Sequence, residues 1–223
     1  MCNVAVIEFF IENIEIEEFK GKRVLEVGSK YVNGSVRPLI ERFCSPKEYI
    51  GIDIEAGKFV DLILPVEKLV EYFGSESFDV VITTELLEHI QNWRLVISNL
   101  KEVLKRGGYI YITTRSYGFP FHAYPHDYWR YEVKDIQKIF SDFEILKLIK
   151  DHEDPGVFLK ARKPFNYSPN NLQDIALYSM ILGKRITSIP RPQEIPLSRK
   201  TKLLKYNIIT LIRTMTKKLL LIK

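Results

Sequence analysis

Residues 24–34 read Val-Leu-Glu-Val-Gly-Ser-Lys-Tyr-Val-Asn-Gly, and this stretch decides the fold. Its apolar start predicts a buried strand, and Gly28 and Gly34 predict a loop whose backbone can approach a ligand closely. Asn33 or Ser35 can cap the helix that follows. A strand, a glycine loop and a helix in this order are typical of a domain that holds a nucleotide-like cofactor.

A second strand ends in an acid. Residues 49–53, Tyr-Ile-Gly-Ile-Asp, predict a buried strand with Asp53 at its carboxyl end. An acid about 20 residues beyond the glycine loop is placed to accept hydrogen bonds from both ribose hydroxyls of a bound nucleoside. We include the next residue, Ile54, in the predicted cofactor site.

The glycine loop also bears on which cofactor is bound. A nicotinamide dinucleotide favours Gly-x-Gly-x-x-Gly, because a close turn lets a helix N-terminus meet the pyrophosphate, and the middle glycine is missing here. S-adenosylmethionine has no phosphate, so its loop needs room for the amino-acid end of the ligand. Glu26, in the strand, can serve the cationic amino group through the loop or a water. The loop therefore favours the methyl donor.

Two later blocks carry a family resemblance. Residues 77–89, Ser-Phe-Asp-Val-Val-Ile-Thr-Thr-Glu-Leu-Leu-Glu-His, predict a fourth strand and its exit, and residues 100–113 predict a helix, a tight turn and a fifth strand. With the glycine loop, their order and spacing over residues 1–163 resemble class I S-adenosylmethionine-dependent methyltransferases. Residues 115–131, rich in His, Tyr and Trp, resemble a subgroup of methyltransferase-domain proteins, some of them encoded with glycan assembly enzymes. The resemblance implies S-adenosyl-L-methionine as the cofactor.

The alternation of strands and helices predicts the fold class. We expect an α/β fold with a doubly wound, mostly parallel, seven-stranded Rossmann-like sheet. The chain of 223 residues, 46% of them hydrophobic, can bury one main core. Residues 1–163 form the predicted methyltransferase domain, residues 164–198 an accessory helix over 171–182 with a proline-containing linker, and residues 199–223 a basic amphipathic helix.

Ligands of such sheets bind outside the carboxyl ends of the strands. Glu85 follows strand four and is predicted to contact the cofactor, or else to begin a helix. Glu88 is predicted to be solvated or to face a helix, and His89 to touch the substrate or to pack under the next loop. Related proteins place an acid that meets the adenine after strand three, where residues 64–67 read Leu-Pro-Val-Glu. Glu67 or backbone groups would serve there.

The loop after strand five holds the predicted catalytic residues. Methyl transfer from a sulfonium requires alignment and a water-poor site, and a hydroxyl acceptor also requires a base. His126 is the first choice as base or substrate contact, and Asp127 either orients it or caps a turn. His89 and His122 are the other candidates. So long a loop is typical of a lid or an acceptor site.

Two further interpretations concern the same loop. Residues 128–130, Tyr-Trp-Arg, could stack on a sugar or pair with a phosphate, or they could cover the edge of the core. His122 and His126 have helical metal-ligand spacing, but Pro125 disfavours a helix and a third ligand is not evident. We therefore predict no metal.

Composition favours a cytoplasmic location. Cys2 and Cys44 match no metal or redox spacing and are too few for a disulfide scaffold. Acidic residues near the N-terminus are incompatible with a secretory signal, and no apolar run approaches the roughly 18 residues that span a bilayer.

The tail differs in charge from the rest of the chain. Residues 199–223 carry eight basic residues and no acid, whereas residues 1–198 have a small excess of acids. At helical spacing, apolar residues from Leu204 to Ile222 gather on one face and basic residues on the other. Such a helix can lie on the inner, anionic face of a membrane, dock on its own domain, or pair with a second subunit in a homodimer.

These features lead to one main function and two alternatives. The first is O-methylation of a sugar, a glycolipid or another small acceptor. The second is an RNA or protein methyltransferase that gathers its substrate with the basic tail, although the apolar face is surplus for nucleic acid. The third is a non-catalytic scaffold that recruits a partner or a membrane, which Pro65 makes conceivable.

Overall fold

The computed structural model of the chain describes residues 3–122 and 126–191, together with residues 193, 196, 197, 200, 201, 204 and 205. Its strands, in chain order, are β1 (Arg23–Val27), β2 (Glu48–Asp53), β3 (Leu62–Ile63), β4 (Phe78–Thr84), β5 (Leu104–Arg115), β6 (Trp129–Arg130), β7 (Glu144–Lys150), β8 (Gly156–Arg162), β9 (Leu177–Ser179) and β10 (Lys184–Ile186). Its helices are α1 (Val4–Asn13), α2 (Ile16–Phe19), α3 (Arg37–Cys44), α4 (Leu69–Phe73), α5 (Trp93–Val103) and α6 (Val133–Ile139), with 3₁₀ turns at Val66–Lys68 and Leu87–His89.

The large sheet has the strand order β3-β2-β1-β4-β5-β8-β7. Strands β1 to β5 pair in parallel, while β8 pairs antiparallel with both β5 and β7. The carboxyl ends of the five parallel strands therefore meet at one edge of the sheet. The predicted seven-stranded, mostly parallel fold class is confirmed.

Helices cover both faces of this sheet. On β1, Leu25 and Val27 belong to a core that includes α5, whereas Val24 belongs to a core with α1 and α3. Successive side chains of a strand point to opposite faces, so a strand covered on both sides reads as a continuous apolar run. Glu26 interrupts that run and is nevertheless buried.

The predicted accessory helix over residues 171–182 is wrong. Residues 177–179 form β9, which pairs antiparallel with β6 on one side and β10 on the other. Leu177 and Ser179 are buried on alternate positions of this strand. Pairing with the loop after β5 satisfies the backbone of this segment, and this contact between distant segments overrides its local preference for helix.

Other boundaries shift by smaller amounts. The sequence predicts a helix that Asn92 caps and Gly107-Gly108 stops, but this helix ends at Val103, because residues 104–108 already extend β5. A third strand is predicted over residues 59–64, and the structure confines it to Leu62–Ile63. A leading helix is predicted over residues 4–19, and it is interrupted at Ile14, which caps α1 in an extended conformation.

The basic tail is largely beyond the part of the chain that is described. Of residues 199–223, the structure describes 200, 201, 204 and 205, which are helical. The predicted amphipathic helix therefore lies mostly outside the described residues. Within those residues, no helix has the length and apolar character needed to cross a membrane.

Candidate active site

The ends of β1, β2 and β4 are neighbours at the carboxyl edge of the sheet. Val27 is in register with Ile52 on one side and with Thr83 on the other. The next residues along these strands, among them Gly28 and Asp53, therefore lie side by side. The parallel pairing brings the predicted cofactor residues of three separate segments to one place.

Gly28 begins the loop that follows β1. Its φ is +78°, a value that side chains disfavour, and a Cβ there would meet the Leu86 side chain at 3.2 Å. The backbone N–H groups of Gly28 and Ser29 donate to the carbonyl of Ile52 at 2.9 and 3.0 Å. The loop thus folds over the end of β2, and Gly34 lies farther along it, before α3.

Asp53 is fixed by the backbone around it. Its Oδ2 accepts from the N–H of Lys30, and its Oδ1 accepts from the N–H of Glu55, both at 3.2 Å. The side chain of Ile54 is 67% exposed. Glu67 is exposed in the turn after β3. The edge therefore offers an oriented carboxylate beside an exposed apolar side chain.

Glu26 lies beneath the loop and is buried. The hydroxyl of Tyr49 donates to its Oε2 at 2.8 Å. Burial raises the pKa of Glu26 to about 7, although the Tyr49 hydrogen bond and Arg37 oppose the shift. Its carboxyl group is on the face of the sheet that packs against α3. A direct contact of Glu26 with a ligand at the edge would require the loop or a water between them.

Glu85 follows β4 in a left-handed conformation, with φ at 53°. This region is rarely adopted by residues other than glycine and is often found at functional sites. The buried Glu85 side chain pairs with Arg115 Nε, and Arg115 Nη1 lies 3.3 Å from Asp151 Oδ2. Burial, and then repulsion by Glu88, raises the pKa of Glu85 despite Arg115.

Glu88 differs from its predicted position. It is 0% exposed, and the hydroxyl of Thr114 donates to its Oε2 at 2.9 Å. Its Oε1 lies 3.8 Å from His89 Nε2. The prediction of a solvated or helix-facing residue is wrong, because the turn Leu87–His89 directs Glu88 back against the end of β5.

The loop after β5 is anchored by a buried ion pair. Both guanidinium ends of Arg130 bind Asp127, with Nη1–Oδ1 at 2.5 Å and Nη2–Oδ2 at 2.8 Å. Burial would raise the pKa of Asp127, but Arg130 and His122 hold it well below its usual range. Asp127 Oδ2 also accepts from the backbone N–H of His122 at 3.0 Å.

Asp127 therefore orients His122 rather than His126. His122 Nδ1 lies 3.2 Å from Asp127 Oδ2, whereas His126 is exposed and its Nδ1 lies 3.3 Å from the Tyr128 hydroxyl. The carbonyl of His126 accepts from His89 Nδ1 at 2.5 Å. All four predicted chemical groups lie near one another, but their pairing differs from the one that sequence adjacency implied.

Trp129 and Arg130 do not face a ligand. Both are 0% exposed, and the indole N–H of Trp129 donates to the carbonyl of Gln91 at 3.1 Å. The interpretation of these residues as sugar and phosphate contacts is wrong, and they cover the edge of the core instead. Arg115 and Asp151 were missed, since no local pattern indicates that these distant segments meet.

The buried polar atoms of this edge suit a cationic ligand. Within the described part of the chain, the Thr83 hydroxyl lacks a hydrogen-bond partner. The two Glu85 oxygens have a charged neighbour in Arg115 but no hydrogen bond of good geometry. Unsatisfied carboxylate oxygens are costly in a protein interior, and a positive ligand group would compensate for them. S-adenosylmethionine carries both an ammonium and a sulfonium, so these residues fit it.

Comparison with known proteins gives the family. The family model described as "Methyltransferase domain" matches residues 5–152. An (S)-coclaurine N-methyltransferase from Thalictrum flavum subsp. glaucum is 20% identical over 140 residues, which is 57% of this chain and 38% of that protein. The chain thus spans well under half the length of this relative.

Solved structures share the fold at low identity. A chain in the complex of the Haloferax volcanii Trm112 methyltransferase activator with a methyltransferase has a TM-score of 0.58 and 12% identity, over 74% of this chain and 90% of that one. The 1,6-didemethyltoxoflavin-N1-methyltransferase of Burkholderia thailandensis, with S-adenosylhomocysteine bound, has a TM-score of 0.53 and 13% identity, over 65% and 72%. With the family model covering more than half of it, the chain belongs to the methyltransferase-domain family, whose methyl donor is S-adenosyl-L-methionine.

Proposed function

We propose that this chain transfers a methyl group from S-adenosylmethionine to an oxygen of a small acceptor of the sugar or glycolipid class. The observation that carries the proposal is the layout of the carboxyl edge of the sheet. Gly28 and Asp53 lie at the ends of β1 and β2, and the polar groups around His89 and His126 lie beyond β4 and β5. A donor and an acceptor bound side by side along this edge would be aligned for transfer.

The donor site would be formed by the loops after β1 to β4. S-adenosylmethionine supplies the methyl group when it is bound. Asp53 is oriented to accept hydrogen bonds from the ribose hydroxyls, and the exposed Ile54 offers an apolar contact for the base. Glu85 has buried oxygens that a cationic group would satisfy. The remaining proposed donor contacts are Glu26, Gly28, Gly34 and Glu67.

The acceptor would bind next to the loop after β5. The ring of His126 is exposed there, so it can reach a hydroxyl of a bound acceptor and take its proton. Two neighbours keep His126 in place: His89 donates to its carbonyl, and Asp127 binds Arg130 and so anchors the loop. In this assignment His126 is the base, while His89 and Asp127 are positioning residues.

The acceptor atom has one alternative. Two of the similar proteins are named for methylation of nitrogen in small molecules, which supports a small acceptor and makes nitrogen the competing atom. A neutral amine needs no base to accept a methyl group, whereas a hydroxyl must lose its proton as the bond forms. Dependence on His126 therefore separates the two.

The test uses labelled donor and a panel of acceptors. The full chain is incubated with methyl-labelled S-adenosylmethionine and, separately, with free sugars, glycolipid extract, small amines and total RNA. We expect label in sugar or glycolipid as a methyl ether, and His126→Gln should lower kcat by about 10²–10⁴-fold with unchanged donor affinity. His152→Gln, on an exposed turn, is the matched control and should leave turnover unchanged. Label confined to amines or RNA would contradict the proposal.

We also propose that residues 199–223 bring the enzyme to a membrane that holds its acceptor. The support is the sequence: eight basic residues, no acid, and a long apolar face at helical spacing. Each basic residue near an anionic surface contributes about 1 kcal/mol. Co-sedimentation with anionic vesicles should be lost on truncation after Leu197 and weakened by salt. Vesicle binding that survives truncation, or a dimer that dissociates on truncation, would contradict it.

A further inference from the structure

Glu88, His89 and His122 converge on one point beyond the ends of β4 and β5. The three residues each offer a ligand atom, and these atoms all lie within 4.8 Å of one another. His89 Nε2 and His122 Nε2 are 3.2 Å apart, and Glu88 Oε1 lies 3.8 Å from His89 Nε2. The expectation of no metal considered His122 with His126, whereas the fold pairs His122 with His89.

The contacts behind the two rings leave their Nε2 atoms facing each other. His89 Nδ1 faces the carbonyl of His126, which can only accept, so this nitrogen carries the proton. His122 Nδ1 lies 3.2 Å from Asp127 Oδ2 and has no hydrogen bond of good geometry within the described part of the chain. When the His89 ring is neutral, its Nε2 therefore presents a lone pair, which a cation held between the two rings would receive.

Glu88 gives an independent sign of a missing cation. The residue is 0% exposed, and its Oε1 is an orphan within the described part of the chain although it is directed at His89. Carboxyl groups also outnumber guanidinium groups in the buried cluster around it. In the portion that the structure describes, this cluster has four carboxyl groups, those of Glu85, Glu88, Asp127 and Asp151, and two guanidinium groups, those of Arg115 and Arg130.

We propose that Glu88 Oε1, His89 Nε2 and His122 Nε2 bind a divalent transition-metal ion. Two imidazole nitrogens and a carboxylate are a common ligand set for zinc and its neighbours. Nitrogens about 2.0–2.1 Å from a tetrahedral ion are about 3.3 Å apart, close to the observed separation. The contacts of His89 with a carbonyl and of His122 with Asp127 are the outer-shell partners that fix ligating histidines.

The site is open on its histidine side. The side chains of His89 and His122 are 21% and 13% exposed, which gives an ion a way in. Three protein ligands leave a fourth position for an exogenous oxygen. An acceptor hydroxyl bound at this position would have a lowered pKa. This role of the ion rests on the proposed function, whereas the binding of the ion does not.

The test is titration of Zn²⁺ into the full chain after dialysis against a chelator, followed by calorimetry. We expect one ion per chain with micromolar or tighter affinity, and ligand-field absorption in the visible when Co²⁺ replaces it. His89→Gln, His122→Gln and Glu88→Gln should each weaken zinc binding at least about tenfold. The chain has four histidines, and His126→Gln and His152→Gln are matched controls that should keep the affinity.

Several results would overturn the site. The first is wild-type protein that binds no zinc, and the second is zinc binding that His89→Gln or His122→Gln leaves unchanged. The third is a histidine ¹⁵N spectrum of zinc-free protein at pH 7 that shows one proton shared between His89 and His122, in protein that does not bind added zinc. Thermal unfolding without metal shows whether each variant is folded, and only folded variants are compared. Zinc binding without methyl transfer would count against the proposed function and leave this site standing.

Discussion

The ends of β1 to β3 and the ends of β4 and β5 lie along one edge of the same sheet but handle charge differently. In the first region Glu26 is buried against the neutral hydroxyl of Tyr49, and Asp53 is held by backbone N–H groups. In the second region, buried carboxylates pair with the guanidinium groups of Arg115 and Arg130. The first region depends on hydrogen bonds with neutral and backbone groups, whereas the second depends on buried ion pairs, of which Arg115–Glu85 joins distant segments and Arg130–Asp127 lies within one loop.

Breaking a buried pair of the second region should have the largest effect. Arg130→Met leaves Asp127 buried and uncompensated, so we expect the free energy of unfolding to fall by about 3–5 kcal/mol. Urea unfolding followed by circular dichroism measures this. The matched control is Lys30→Met in the first region, where the pair with Glu55 is exposed and no measurable change is expected. Equal effects of the two substitutions would contradict the comparison.

The uncompensated acid of the first region should make stability depend on pH. Glu26 has a pKa of about 7 in the folded chain, whereas its ordinary value is 4.5. Between these two pH values the folded chain therefore keeps a proton on Glu26 that the unfolded chain has lost. Its contribution to stability therefore falls as pH rises from about 4.5 to 7, by up to about 3 kcal/mol. Glu26→Gln should remove this dependence.

The measurement for Glu26 is the difference in unfolding free energy between wild type and Glu26→Gln at pH 5, 6, 7 and 8. The unfolding free energy of the variant, minus that of the wild type, should increase as pH rises through this window and then become constant. Because the other ionisable groups are common to both proteins, their titration cancels in the difference. A difference that is flat with pH would mean that Glu26 is not a buried, uncompensated acid.

A smaller stability effect should distinguish the hydrogen-bonded hydroxyl of Thr114 from the unbonded hydroxyl of Thr83. Thr114 donates to Glu88, so Thr114→Val should cost about 1.5–3 kcal/mol. Thr83 has a buried hydroxyl that no described residue bonds, so Thr83→Val should be neutral within about 0.5 kcal/mol or stabilising in ligand-free protein. Thermal unfolding of the two variants checks this, and the reverse order would refute the assignment of partners.

The first region was predictable because its signals are local. A short apolar run, Gly28 and the acid at position 53 indicate the two strand ends and the loop between them, and Gly28 has the positive φ that such a turn requires. Each of these signals is contained in a few consecutive residues.

The second region was only partly predictable. His89, His122, His126 and Asp127 were identified as chemical groups, but their pairing depends on how the loop crosses the end of β4. The roles of Glu88 and Arg115 depend on their burial and on contacts with distant segments. The spacing of apolar residues along the sequence indicates neither. The segment 171–182 has apolar residues at spacings that suit a helix, and pairing with β6 and β10 makes its residues 177–179 a strand.

The most direct test of the account is calorimetric titration of S-adenosylmethionine and S-adenosylhomocysteine into the full chain. We predict micromolar binding of both, weakened about a hundredfold in Asp53→Ala, because two hydrogen bonds from the ribose to a charged group are lost. Glu48→Ala, at the opposite end of β2, is the matched control and should bind like the wild type. Absence of binding at millimolar ligand would contradict the account and favour a non-catalytic scaffold.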